Sequence, residues 1–252
     1  MNSRLTLAAA LCALLAPVPA LAQDDEPDPA VFGVYFHCNE SKEARADTII
    51  AESIGPILDR HMDSGAISAW GWYAHHTGGH WRRLLYMVSA DVPSVMLARD
   101  ALIDDMIAEA GEASEELTQV CPSHDDYVWT MAAASDPTLA QGRPSVSLST
   151  YMVCDFTEED RASRIVENVF ADVYNKHVEE GTITSWGWLE HNIGGQYRRI
   201  SVIDAVDLSS LLAARSSIFE DLFEENPIAL DRFSQICDSH TDYIWERQIT
   251  KP

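Results

Sequence analysis

The chain has 252 residues, with 17 Lys and Arg against 40 Asp and Glu and a formal charge of −23. So acidic a surface repels nucleic acid and anionic membranes, which argues against both as partners and favours solubility. The length suits one large domain or two of about 100 residues.

Residues 1–22 read as a secretory signal. Arg4 supplies the positive start, Leu5 to Leu15 an apolar run that contains Cys12, and Ala20-Leu21-Ala22 a small-residue cleavage site before Gln23. The run is too short for a permanent anchor, and no other stretch approaches about 20 apolar residues. A lipoprotein would carry Cys where Gln23 stands. The expected location is therefore the periplasm or the medium, and the mature chain would carry 16 basic and 40 acidic residues. Residues 23–30 form an acidic, Pro-bearing leader.

Residues 31–131 read as a first structural unit. Val31 to Cys38, rich in β-branched and aromatic residues, predicts a strand. A helix follows, kinked at Pro56 and stopped at Gly65. Strands at Ile67 to His75 and Trp81 to Ser89 flank Gly78-Gly79, a hairpin signal. A second helix spans Ser94 to Glu109, a short one ends near Val120, and a strand covers Tyr127 to Met131. Residues 132–145, small and polar with Pro and Gly, form a linker.

Residues 146–252 repeat the same order. Thr150 to Cys154 is the first strand, and Thr157 offers an N-cap to a helix whose apolar face includes Ile165, Val166, Val169, Phe170 and Val173. Gly181 stops that helix, and Asn226-Pro227 opens a later short one. The repetition is also literal. Cys38, Trp70, His75, Arg82, Cys121 and Trp129 recur as Cys154, Trp186, His191, Arg198, Cys237 and Trp245, all offset by 116 positions. About a third of the aligned positions are identical, so the chain is an internal duplication.

The order βαββαβ at this length resembles the ferredoxin-like fold. Two such units in one α+β chain resemble the dimeric α+β barrel superfamily in a fused, tandem form. The resemblance implies two sheets packed face to face around a cavity, helices outside, and a chain that is monomeric because its halves pair with each other. It carries an architecture and not a reaction.

Four cysteines follow the leader, and four allow three pairings. Duplication selects Cys38–Cys121 and Cys154–Cys237, because each copy should carry the same bond. The βαββαβ topology agrees, since it makes first and last strands neighbours. Without CxxC spacing, these are structural staples.

The shared polar set offers candidate chemistry. His75 and His191, near hairpin ends, are candidates for proton transfer or for structural hydrogen bonding. Trp70, Trp72, Trp186 and Trp188 share one face of their strands, as core or as an aromatic ligand wall. Arg82, Arg83, Arg198 and Arg199 alternate faces, so one of each doublet could point inward to hold a ligand carboxylate, or pair with an acid such as Asp126. His75, His76 and His80 crowd one hairpin, but their counterparts are His191, Asn192 and Gln196, so no metal is expected. No Rossmann, P-loop or haem motif occurs, and no cofactor is expected.

Three readings follow. The first is an exported module that binds a small molecule in or at the mouth of the barrel. The resemblance implies the second, a cofactor-independent monooxygenase-like enzyme acting on an aromatic or polyketide-like compound with His75 or His191 as base. The third is a structural or interaction protein. A single cavity with asymmetric polar lining favours catalysis; two equal, filled cores favour the third reading.

Overall fold

The computed structural model describes residues 27–252. The expected signal, residues 1–22, and residues 23–26 of the leader lie outside the described residues. Eight strands carry the fold: β1 (Ala30–His37), β2 (Ala69–Gly78), β3 (Arg83–Ser89), β4 (Ser123–Ala134), β5 (Val146–Val153), β6 (Ser185–Ile193), β7 (Arg199–Ala205) and β8 (Ser239–Lys251). They close into one antiparallel barrel in the order β1-β3-β2-β8-β5-β7-β6-β4. Within each half the first and last strands are neighbours, as the disulfide argument requires. The halves meet edge to edge through β2–β8 and β4–β6, rather than as two sheets stacked face to face.

Helices cover the outside. In the first half α1 (Glu43–Ile49) runs through a π turn (Ile50–Ile54) into α2 (Gly55–Asp63), and α3 spans Val92–Val120. In the second, α4 (Glu159–Ile165) runs through a π turn (Val166–Phe170) into α5 (Ala171–Glu179), followed by α6 (Leu208–Glu225) and α7 (Pro227–Ile236). The π turn recurs where Pro56 is replaced by Asp172, so it belongs to the fold and not to the proline. Pro56 itself sits in the first turn of α2, where its missing N–H costs nothing. Ala110, at φ −130 and ψ 30, breaks α3 where Asn226, at φ −133 and ψ 43, separates α6 from α7.

Caps are duplicated as well. Asp91 and Asp207 accept from the Ser94 and Ser210 amides, each cap contributing about 1 kcal/mol. Thr157 is not a cap: it donates through its amide and hydroxyl to Asp155 Oδ1, both at 2.8 Å. Gly65 and Gly181 leave their helices at φ 78 and 73. Gly78 and Gly194, at φ 123 and 145, do more than turn the chain. A Cβ on Gly78 would lie 2.1 Å from the Asp242 carbonyl oxygen, and on Gly194 2.4 Å from the Tyr127 ring. These glycines let the other half approach.

Strand alternation then separates three cores. Outward residues such as Phe32, Trp70, Trp72, Leu85 and Val128 pack under the first helices, and Leu148, Trp186, Trp188 and Ile203 under the second. Inward residues, among them Tyr35, Trp81, Tyr127, Trp129, Tyr151, Tyr243 and Trp245, fill the barrel. No helix among the described residues is long and apolar enough to cross a membrane.

Both expected disulfides form, Cys38–Cys121 and Cys154–Cys237, each across a sequence separation of 83. A cross-link over a loop of that size contributes about 2–4 kcal/mol by restricting the unfolded chain. Replacing one pair, Cys154→Ser with Cys237→Ser, is expected to lower the unfolding free energy by about that amount in urea titration. An unchanged urea midpoint, or four titratable thiols in the native leaderless protein, would contradict this.

Candidate functional site

The two ends of the barrel differ. At the hairpin end the interior is solid. Trp81 stacks on Tyr35 at 4.3 Å and on Tyr243 at 5.0 Å, while Tyr127 stacks on Trp129 at 4.9 Å and Tyr243 on Trp245 at 5.0 Å. The Tyr243 hydroxyl accepts from the His80 and Trp81 amides at 2.9 and 3.3 Å, tying the last strand of one half to the hairpin of the other.

At the opposite end a cavity of about 570 Å³ opens. That is ordinary for a small-molecule site. Its floor is Tyr35, Trp129 and Tyr151, and its walls are mostly apolar: Val31, Leu84, Val88, Met131, Leu189, Ile200 and Val202. Gly33 and its counterpart Ser149 also line it, and the Tyr35 ring lies over Gly33, where a Cβ would meet it at 3.0 Å. The linker crosses the mouth with Ser135, Pro137, Leu139, Arg143 and Pro144, beside Thr250 and Pro252 of the chain end. The Thr138 and Ser145 amides hold it by donating hydrogen bonds to the carbonyls of Thr184 and Ala205, at 2.8 and 3.0 Å.

One polar group stands in this wall. Arg247 Nη1 lies 2.9 Å from Asp204 Oδ2, and the guanidinium sits over the Tyr73 ring at 5.3 Å. Ser147 and Ser185 donate their hydroxyls to the two Asp204 oxygens. The Tyr73 hydroxyl faces that of Tyr86 at 3.5 Å. Burial pushes both phenols above their ordinary range, so each remains a neutral donor at neutral pH. Burial opposes the Arg247 charge, but the Asp204 carboxylate outweighs it and keeps the guanidinium charged. The ion pair is close but poorly aligned: the buried Arg247 Nη1 meets Asp204 at contact distance without a well-directed hydrogen bond. The counterparts of Tyr73, Tyr86, Asp204 and Arg247 are Leu189, Val202, Val88 and Met131, so the polar group exists once.

The duplicated motif lies elsewhere. Arg82 and Arg83 both turn to the helix side, because residue 82 stands in the turn before the alternation of β3 begins. Glu43 of α1 accepts from Arg82 Nε at 2.5 Å and Arg83 Nη1 at 3.0 Å, and Asp47 accepts from Arg83 Nε at 2.7 Å. In the second half Glu159 accepts from Arg198 Nε and Arg199 Nη1, both at 3.0 Å, and Ser163 takes the place of Asp47. Arg83 and Arg199 are only 5 % and 2 % exposed, so this clamp is part of the core, and neither doublet reaches the cavity or Asp126. Glu43 and Glu159 are the residues that motif reading missed. Their shared 116-residue offset was the available signal.

His75 and His191 complete the clamp. Their Nδ1 atoms lie 2.9 and 2.7 Å from Arg82 and Arg198 Nη1, accepting from the guanidinium, while each Nε2 is buried without a partner among the described residues. Both rings sit beside the aromatic filling, away from the cavity lining. Trp70, Trp72 and Trp188 pack under helices and donate to Asp59, Asp47 and Ser163; they form no ligand wall. Trp186 donates to Asn175 and is the one of the four that also borders the cavity.

Two outcomes follow from the clamp. Glu159→Gln should cost about 3 kcal/mol in urea unfolding, because it strips a buried arginine of its main counter-charge. Glu43→Gln should cost less, since Asp47 remains; equal costs would contradict the asymmetry. Burial first, and the neighbouring arginines second, hold the His75 and His191 pKa values below the ordinary value of about 6.5. The unfolded chain therefore takes up these protons first as pH falls below about 6.5, and stability drops until the lower folded values are passed. The double variant His75→Gln, His191→Gln should show a shallower loss between pH 7.5 and 5.5 than the parent. Parallel profiles would exclude a contribution from this pair.

No protein-family model and no curated protein matches this sequence. Solved structures do. A candidate monooxygenase from Lactobacillus acidophilus NCFM superposes with TM-score 0.60 at 7 % identity, over 88 % of this chain and 95 % of that one. A candidate monooxygenase from Fusobacterium nucleatum subsp. nucleatum gives 0.58 at 12 %, over 89 % and 94 %. An anthrone oxidase-like protein gives 0.59 at 11 %, over 90 % and 94 %. At such identities the likeness is one of fold, and the chain has the fold of the dimeric α+β barrel proteins.

Proposed function

We propose that this protein binds a mainly apolar ring compound bearing hydroxyl or carbonyl oxygens, within the cavity of a barrel made from two fused ferredoxin-like halves. The observation that carries the reading is one buried ion pair in a mainly apolar cavity: the Arg247 guanidinium, imperfectly aligned with Asp204, beside two neutral phenols. A ligand oxygen would add a well-directed acceptor for the guanidinium and the phenols, which an apolar ligand could not. Because Asp204 already balances the arginine charge, a polarised neutral oxygen suits the site better than a second carboxylate.

A monooxygenase-like activity is the catalytic form of this proposal. It is supported by the asymmetry of the cavity and by the names of the similar folds. In that form Asp204, the carboxylate among the lining residues, accepts the substrate proton, and Arg247 with Tyr73 steadies the oxygen on which charge develops. His75 and His191 do not line the cavity, so neither is the base in this form. We further propose that the protein works outside the reducing cytosol, with which two disulfides are compatible.

The test uses hydroxylated polycyclic aromatics, naphthols and anthrones, followed by tryptophan fluorescence and by oxygen uptake. Binding should be saturable, weakened at least about tenfold by Arg247→Met, and abolished by Val202→Trp, which fills the cavity. Asp204→Asn should retain binding and lose turnover. Binding that survives Val202→Trp unchanged places the ligand elsewhere. Binding without oxygen uptake in the parent leaves the protein a carrier.

A further inference from the structure

The filled end of the barrel bears a second, independent set of groups. His37 closes β1, Asp125 lies in the neighbouring β4, and His80 stands in the turn between β2 and β3. Fold topology alone brings these residues, 88 positions apart at the widest, to one point. His37 Nε2 is 3.0 Å from Asp125 Oδ2, and the His37 and His80 rings stack at 5.0 Å and 11°. One donor atom from each of the three residues lies within 4.8 Å of the other two. We propose that His37, His80 and Asp125 bind one divalent transition-metal ion, of the zinc or copper type, at this end of the barrel.

The donor set fits the chemistry. Two imidazole nitrogens and a carboxylate suit zinc, copper, nickel or ferrous iron and not calcium or magnesium, which want oxygen shells. Bonds of about 2.0–2.2 Å put neighbouring ligand atoms about 3 Å apart. The His37–Asp125 pair already has that spacing, and a rotation of the exposed His80 ring supplies the third atom. Three protein ligands on an open surface leave positions for water or an exchangeable ligand.

The set is also held from behind. Trp81 donates its indole N–H to Asp125 Oδ2 at 2.6 Å, and Trp81 is 2 % exposed between Tyr35 and Tyr243. A fixed outer donor that orients a carboxylate is the usual support of a metal ligand. The His80 amide, tied to the Tyr243 hydroxyl, fixes the turn.

The second half is a built-in control. At the equivalent positions stand Val153, Gln196 and Thr241, so all three donors differ together while the scaffold is kept. Trp81 becomes Tyr197, whose hydroxyl donates to Thr241 at 3.0 Å. The fold is therefore satisfied without any of the three ligands, and their presence in one half needs another reason. A plain His37–Asp125 ion pair on the surface would explain two of them, but not His80.

Untagged, EDTA-stripped protein titrated calorimetrically with Zn²⁺, and with Cu²⁺ under tryptophan fluorescence, tests the proposal. We expect one equivalent bound, a metal-dependent rise in Tm, and quenching by Cu²⁺ that includes Trp81. H37A and H80A should each weaken binding at least about tenfold, and D125N likewise. His80 is exposed, so H80A should leave the metal-free Tm unchanged, which separates lost binding from lost folding. His76→Ala and His124→Ala, neighbours outside the set, should bind as the parent does. Absence of saturable binding, or one equivalent retained in the H37A/H80A double variant, would overturn the site. Neither result bears on the cavity, which lies at the other end.

Discussion

Everything in this molecule depends on the two seams where its halves pair edge to edge, β2 with β8 and β4 with β6. Each half alone would be a four-stranded sheet with one face covered by helices and the other bare. That bare face carries Tyr35, Trp81, Tyr127 and Trp129 in the first half and Tyr151, Tyr197, Tyr243 and Trp245 in the second. Exposed, such a surface and its two open edges would aggregate. The seams remove both liabilities at once, burying the aromatics against each other and leaving no edge unpaired. They are also where the halves interlock in detail: glycines at 78 and 194 accept the partner strand at distances a side chain would forbid, and Tyr243 caps amides of the opposite hairpin.

Once the barrel is closed, its inside and outside answer to different demands. Both halves must dock a helix on their sheet, and both do it with the same clamp, a glutamate in the first helix gripping an arginine doublet that a histidine backs. The inward faces meet at the centre only once, so they are free to differ. There the first half supplies two phenols and the second an aspartate and an arginine, and the cavity becomes one site shared by two unlike walls. Shared residues thus report what each half needs to fold, and unshared ones report what the whole barrel holds. The most conspicuous motif, tryptophans, histidines and arginines at a fixed offset, belongs to the first kind.

This explains what could and could not be read in the chain. Element order and the disulfide pairing were legible, because local periodicity, turn residues and duplication specify them. The expectation that one arginine of each doublet points inward failed, since period-two alternation holds inside a strand and Arg82 precedes it. Glu43 and Glu159 were visible as a repeated pair but had no local pattern to mark them. The Asp204–Arg247 group was not legible at all. Its assembly with Tyr73 depends on the seam between β2 and β8, strands some 170 residues apart, whose register shifts twice along its length. No helical or strand period in either segment encodes that meeting.

The cavity begins where the aromatic filling ends. At the level of Tyr35 and Tyr151 the barrel is filled because every strand sends in a ring or a branched chain. One step toward the linker end, β1 offers Gly33 and β5 offers Ser149, equivalent positions that are small in both halves. The Tyr35 ring lies over Gly33 and forms the floor, and beyond it the lining is mostly aliphatic, in a barrel of eight strands whose interior is just wide enough to hold one small ligand. Packing density explains why the space persists: the surrounding rings are fixed by stacking and hydrogen bonds and cannot collapse into it. Arg247, Asp204 and the two phenols then line a space that fixed walls keep open. Rigid walls with a few aimed polar groups are what a binding site needs, and the filled end supplies that rigidity.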